Sequence, residues 1–140
     1  MRWWTVVLVA MVAVVAGGVG GGVGVADADH DKAVKLIDAG QIKAWIDQGK
    51  KFTLVDSRVA SEFKEGKLPT AINIPGPQMD AMRDKLPKDK AQPLVFYCNG
   101  WPECKKSHEA CTKAVQWGHK DVYWFKDGVP GWQAKRYPLQ

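Results

Sequence analysis

Between residues 32 and 140, short apolar runs rich in β-branched residues alternate with stretches whose apolar positions recur at helical spacing. Ile42, Trp45 and Ile46 share one helical face, and Gly49 stops that run. Phe52-Thr53-Leu54-Val55 predicts a strand ending at Asp56, and residues 57–65 predict a helix closed by Gly66. Ala71-Ile72-Asn73-Ile74 predicts a second strand, halted by Pro75-Gly76-Pro77, and residues 79–86 predict a helical turn or two before Pro87. Pro93-Leu94-Val95-Phe96-Tyr97 is the most strand-like run and empties into the loop Cys98-Asn99-Gly100-Trp101-Pro102. A helix is expected from Pro102 or Glu103 to Trp117, ended by Gly118. Val122-Tyr123-Trp124-Phe125 predicts the last strand, Asp127-Gly128 a turn, and residues 132–135 a final helical turn. This alternation predicts a single α/β domain: a mostly parallel central sheet flanked by helices on both faces.

The first 26 positions break the pattern, holding one charge, Arg2, ahead of an apolar run and a glycine-rich stretch. A basic start, an apolar segment and the small residues Val25-Ala26-Asp27-Ala28 have the order of a secretory signal peptide. The uncharged span 3–26 is also long enough for a membrane anchor, although its six glycines make a poor helix end. The chain therefore divides into residues 1–28, a signal peptide or anchor, and residues 29–140, one domain. Either form exports the domain, to the periplasm if the source is bacterial, where thiols can oxidise. The membrane enters only through that segment.

Composition narrows the class. A chain of 140 residues with 46% apolar and 25% charged residues is a globular domain, not a disordered, collagen-like or coiled-coil chain. Three cysteines are too few for a disulfide-stapled mini-protein, and their odd number leaves a thiol unpaired in a monomer, the expected state. The net charge of +5 comes from scattered lysines, so a solvated surface is expected and no nucleic-acid partner.

Ligands of open parallel sheets bind beyond the carboxyl ends of the strands, where Asp56 and Cys98 fall. A cysteine there, ahead of a helix N-terminus, is placed to become a thiolate: loop N–H groups and the helix dipole favour negative charge. Lys105 and Lys106 add positive charge nearby. Such surroundings lower a thiol's pKa from its ordinary value near about 8.5. The same cradle suits a small oxyanion or the outer sulfur of a persulfide.

Leu54-Val55-Asp56-Ser57-Arg58, Glu62-Phe63, Gly66-Lys67-Leu68-Pro69 and Ala71-Ile72-Asn73-Ile74-Pro75 together resemble the first signature of rhodanese-like domains. Val95-Phe96-Tyr97-Cys98-Asn99-Gly100 is similar to that family's catalytic strand and loop. Val122-Tyr123-Trp124-Phe125 with Gly128-Val129-Pro130-Gly131-Trp132 resembles its closing strand and helix. The likeness spans residues 31–139 and implies a sulfurtransferase without a cofactor. Cys98 would attack the outer sulfur of a donor such as thiosulfate or polysulfide, become a persulfide, and pass the sulfur to a thiol or protein acceptor. By matching position, Asn99, Gly100, Trp101, Glu103, Cys104, Lys105 and Lys106 would form the loop that holds the anionic sulfur. Asp56 and Arg58 would brace the base of the site, with Ser107 supporting it. The chain departs from a frequent family pattern that places an arginine five positions after the cysteine and a serine directly behind. Here Glu103 occupies that position and Ser107 lies nine residues after Cys98, with no arginine between. Lysine supplies a point charge rather than arginine's planar fork.

Cys104 has two readings: a partner that converts a Cys98 persulfide or sulfenic acid into a disulfide, or a first-turn helix residue packed on the sheet. A thiol–disulfide switch and a non-catalytic binding or sulfur-carrier module are the alternatives to the enzyme. Cys104, His108 and Cys111 recur on one helix face and, with Cys98, number four candidate ligands, but their spacing fits no common zinc signature; no metal site is expected. Trp101 shields the thiolate, offers a face to an acceptor, or simply packs. His30 and His119 read as isolated, solvent-facing residues.

Overall fold

The computed structural model describes residues 32–140; the leader reading of residues 1–28, and His30, lie outside them. Strands β1 (Val34–Leu36), β2 (Thr53–Asp56), β3 (Ile72–Asn73), β4 (Leu94–Tyr97) and β5 (Val122–Phe125) form a single sheet in the order β1-β5-β4-β2-β3. Every pairing is parallel. Helices α1 (Ala39–Asp47), α2 (Ala60–Glu65), α3 (Lys106–Gln116) and α4 (Gly128–Ala134) connect or follow the strands.

Side chains alternate along each central strand, so each face of the sheet gathers its own core. Leu54, Val95, Tyr97 and Phe125 pack with Ile42 of α1, Phe63 of α2 and Trp132 of α4. Val55, Leu94, Phe96, Val122 and Trp124 pack on the other face with Ala110, Cys111 and Ala114 of α3. The expected fold class is the observed one.

The differences from the sequence reading are local. β1 has no counterpart in it: three residues at the sheet edge, with Leu36 66% exposed, carry too little apolar signal to register. Its place is given by pairing with β5. Helix α1 opens on a capping box, the Asp38 carboxylate accepting from Gln41 N–H and the Gln41 side chain from Asp38 N–H. α2 begins at Ala60, not Ser57, because the Asp56 carboxylate takes the Arg58 N–H at 2.9 Å and holds that turn out of the helix. The 79–86 segment forms one short 3₁₀ turn, Arg83–Lys85, and another, Gly76–Gln78, precedes it. α4 starts earlier than expected, at Gly128, with Pro130 in its first turn, where a missing N–H costs no hydrogen bond.

His119 is not solvent-facing but buried, 4% exposed, with Nε2 3.2 Å from Lys90 Nζ. Burial, then the positive charges of Lys90 and Arg83, hold its pKa below the ordinary 6.5. A lowered folded-state pKa means the unfolded chain binds the proton first as pH falls. The contribution of neutral His119 to stability is therefore complete above the unfolded value of 6.5 and declines below it, toward the depressed folded value. Denaturation midpoints should fall between pH 7 and 5 in the wild type and more shallowly in His119→Gln; parallel curves would contradict this.

Candidate active site at the end of strand β4

Cys98 follows the last residue of β4, and residues 98–105 form the loop that leads into α3. The loop is anchored at several points. Trp101 N–H donates to the Lys126 carbonyl at 3.0 Å, Val129 N–H to the Cys98 carbonyl at 3.0 Å, and Cys104 N–H to the Gly100 carbonyl at 3.0 Å. Asn99 Nδ2 donates to Glu62 Oε1 of α2 at 3.0 Å. Gly128 approaches the Cys98–Gly100 backbone so closely that a Cβ there would lie 2.6 Å from Gly100 N, and its φ of +60° also favours glycine. Gly100 turns the loop at φ +97°.

This anchoring explains why α3 starts at Lys106 and not at Pro102 or Glu103. The Trp101 N–H is committed to Lys126 and the Cys104 N–H to a turn within the loop, and Cys104 is joined to Cys98 by a disulfide with Cα atoms 6.3 Å apart. Cys104 is thus a loop residue, not a first-turn helix residue packed on the sheet. Cys98 is 1% exposed, and Cys104 sits half-buried over it.

Beneath Cys98 lies the first turn of α3. Ser107 Oγ is 3.1 Å from Cys98 Sγ and accepts the indole N–H of Trp124 at 3.0 Å. With that acceptor position filled, the hydroxyl proton is free to point at the sulfur. Ser107 is 1% exposed, so the interaction is shielded from water. The N-terminal end of the helix dipole adds to it and favours a thiolate over a thiol once the disulfide is reduced. Ser107→Ala should slow alkylation of Cys98 in the reduced chain at neutral pH, as expected when a hydrogen bond to a charged group is lost. An unchanged alkylation rate would remove Ser107 from the site.

Asp56 and Arg58 stand one layer below. The fully buried Asp56 carboxylate receives Arg58 Nε at 3.0 Å, Arg58 Nη2 at 2.7 Å and the Tyr97 hydroxyl at 2.8 Å. Arg58 Nη2 also donates to the Gly66 carbonyl at 2.6 Å, and Leu68 N–H donates to Tyr97 Oη at 3.1 Å. Burial works against the Arg58 charge, but the Asp56 hydrogen bonds and charge outweigh it and raise its pKa. Burial and then the Asp56 charge raise that of Tyr97. These groups do not touch Cys98; they tie β2, the 66–68 turn and β4 together where the chain delivers it.

Clefts open on both sides of the loop. One, of ≈ 410 Å³, is lined by Cys104, Glu62, Glu103, Lys105 and Lys106, so the lysine charges are balanced by carboxylates. The other, of ≈ 500 Å³, lies against Trp101, Asp127 and Pro130. Trp101 is 44% exposed, stacks edge-on against Trp124 at 5.6 Å, and has Lys105 and Lys126 within 6 Å of its ring. A larger groove of ≈ 590 Å³ beside α2 has no cysteine, serine or threonine among its lining residues. Cys111 is buried away from the loop with its Sγ 3.5 Å from the Tyr123 carbonyl, and burial pushes its pKa well up. Among the described residues no three His, Cys, Asp or Glu side chains gather as a metal site.

Trp124, Gly128 and Glu62 were not marked as site residues by sequence. Trp124 reads as packing because an apolar strand hides the indole N–H that orients Ser107. Glu62 lies in the resembling signature, but its bond to Asn99 spans 37 residues and leaves no local trace.

Known proteins provide independent comparisons. The chain is 29% identical over 107 residues to the uncharacterised protein YibN of Escherichia coli K12, covering 76% of this chain and 72% of that protein. It is 26% identical over 106 residues to a protein of Allochromatium vinosum named sulfurtransferase, covering 76% of this chain and 94% of that one. Its fold superposes on the crystal structure of the BH2092 protein of Bacillus halodurans with a TM-score of 0.67 and 28% identity, over 81% of each chain. The rhodanese-like domain family profile matches residues 29–135. With the parallel sheet and the loop at the end of β4 both in place, this chain belongs to the rhodanese-like domain family.

Proposed function

We propose that this protein is a sulfurtransferase that moves a sulfane sulfur from a small donor to a thiophilic acceptor through a persulfide on Cys98. The observation that carries the reading is the seat of Cys98 above the first turn of α3, with the Ser107 hydroxyl 3.1 Å from its sulfur. Once reduced, the Cys98 thiolate attacks the outer sulfur of the donor. The donor's S–S bond breaks, and sulfite leaves if the donor is thiosulfate. An acceptor then attacks the outer sulfur of the persulfide, and the Cys98 thiolate is the leaving group. Ser107 and the helix N-terminus stabilise that thiolate in both steps. No arginine fork serves the donor, and the lysines at the mouth are balanced by Glu62 and Glu103. Singly charged polysulfides and persulfides therefore suit the cleft better than dianionic thiosulfate. The export reading of residues 1–28 places the reaction in an oxidising compartment, where Cys98 and Cys104 pair between turnovers. Sulfur transfer from thiosulfate and from polysulfide to cyanide, measured after reduction for wild type and Cys98→Ser, tests the assignment. Transfer in the variant would refute it.

The observed Cys98–Cys104 pair also favours a second reading, a switch that silences the nucleophile by oxidation. Transfer that disappears without reductant and returns with a dithiol is its signature.

A further inference from the structure

The disulfide pairs the proposed sulfur carrier with a cysteine held half-buried directly over it, across a loop whose two ends are anchored. That juxtaposition gives a Cys98 persulfide a thiol partner within the same chain. We propose that Cys104 resolves the persulfide, so that the protein reduces sulfane sulfur to hydrogen sulfide and ends as the Cys98–Cys104 disulfide. The inference rests on the persulfide reading above.

The chemistry balances without an added oxidant. The Cys104 thiolate attacks the inner sulfur, Cys98 Sγ, forming the Cys98–Cys104 bond as the bond between Cys98 Sγ and the outer sulfur breaks. Hydrosulfide departs with that electron pair. The sulfane sulfur gains two electrons, the two cysteines lose them, and the cysteine protons leave with sulfide and solvent. Attack on the outer sulfur instead moves it to Cys104; the Cys98 thiolate then closes the same disulfide and releases the same hydrosulfide.

Regeneration needs a dithiol, which the exposure of the pair directs to one sulfur. Cys98 is 1% exposed, whereas Cys104 is half-buried and lines the ≈ 410 Å³ cleft. A small or protein dithiol attacks Cys104 Sγ and frees the Cys98 thiolate; its second thiol then frees Cys104 and keeps the disulfide itself. Cys111 is fully buried one turn further along α3, with its Sγ against the Tyr123 carbonyl, and takes no part. Thiosulfate plus two protein thiols thus yields sulfite, sulfide and one disulfide, and the dithiol closes the cycle. The substrate class is a sulfane-sulfur compound together with a dithiol reductant.

The test uses the full chain, reduced, freed of reductant without air, and given one equivalent of thiosulfate or, separately, benzenethiosulfonate. Their leaving groups are sulfite and a sulfinate, so any sulfide comes from the resolving step alone. Wild type should release about one sulfide per chain with no added thiol and lose its two reactive thiols. Cys104→Ser and Cys104→Ala should take up a sulfur, seen as a gain of about 32 Da, and release no sulfide until a dithiol is added. A wild type that keeps its sulfur, or Cys104 variants that release sulfide as wild type does, would overturn the resolving role while leaving the persulfide intact. Failure of every form to take up sulfur from either donor would overturn the persulfide reading and this inference with it.

Discussion

Replacing Cys98 with serine is expected to lower sulfur transfer by about three orders of magnitude or more, with the fold unchanged. A serine hydroxyl stays protonated near neutral pH and has no sulfur on which a persulfide can form, so no neighbouring group restores the reaction. The sheet should survive, because Cys98 contributes little apolar area, and its backbone carbonyl keeps the bond from Val129 N–H. Circular dichroism and denaturation of the variant should match the reduced wild type within about 1 kcal/mol. A variant that is folded and inactive supports the assignment. One that still turns over moves the chemistry to another residue, and one that unfolds makes Cys98 a packing residue.

The second large effect falls on stability. Asp56→Ala removes the partner of a guanidinium that is only 7% exposed, and it also strips the Tyr97 hydroxyl and the Arg58 N–H of their acceptor. Water cannot replace a carboxylate that is fully buried. Leaving that charge unpaired should cost about 3–5 kcal/mol, a large share of the stability of a domain this size. Arg58→Ala should be similarly costly, since it leaves the Asp56 carboxylate buried, and the double variant should cost less than the sum because the two act as a unit. Urea denaturation measures all three. Losses below about 1 kcal/mol would mean the pair behaves like a surface ion pair and braces nothing.

How much of this could be read from the residues follows from where each constraint lies along the chain. The core strands carry their own evidence: Leu94 to Tyr97 alternate between the two faces, and all four are buried. The β2 and β4 ends, with Asp56 and Cys98, were legible because an apolar run stops there. The start of α3 was not. Its position is dictated by bonds from residues 99–104 to Lys126 and across the loop, and helix propensity at Pro102 or Glu103 has no access to them. β1 is an edge strand whose pairing lies 88 residues away, and its own three residues say little. Burial of His119 depends on Lys90, another distant neighbour. Cys104 shows the same limit: both of its readings fitted the spacing, and only the path of the loop distinguishes them.

The loop after β4 follows one physical plan. A parallel strand delivers a sulfur to the N-terminal end of a helix, a buried hydroxyl turns its proton toward that sulfur, and a second sulfur covers it. The paired carboxylate and guanidinium below maintain the strand ends rather than the chemistry, which separates loss of folding from loss of reactivity in any set of variants. On the proposed function, the cover over Cys98 also means that sulfur transfer measured without a reductant reports the redox state of the Cys98–Cys104 pair.

The most direct test of the central claim is the intact mass of the reduced chain carrying Cys104→Ser, after a polysulfide donor, followed by peptide mapping. A single added sulfur of about 32 Da on the peptide containing Cys98, removed by cyanide and absent when Cys98 is also serine, is the predicted result. No adduct, or one that persists without Cys98, would contradict a persulfide at this site.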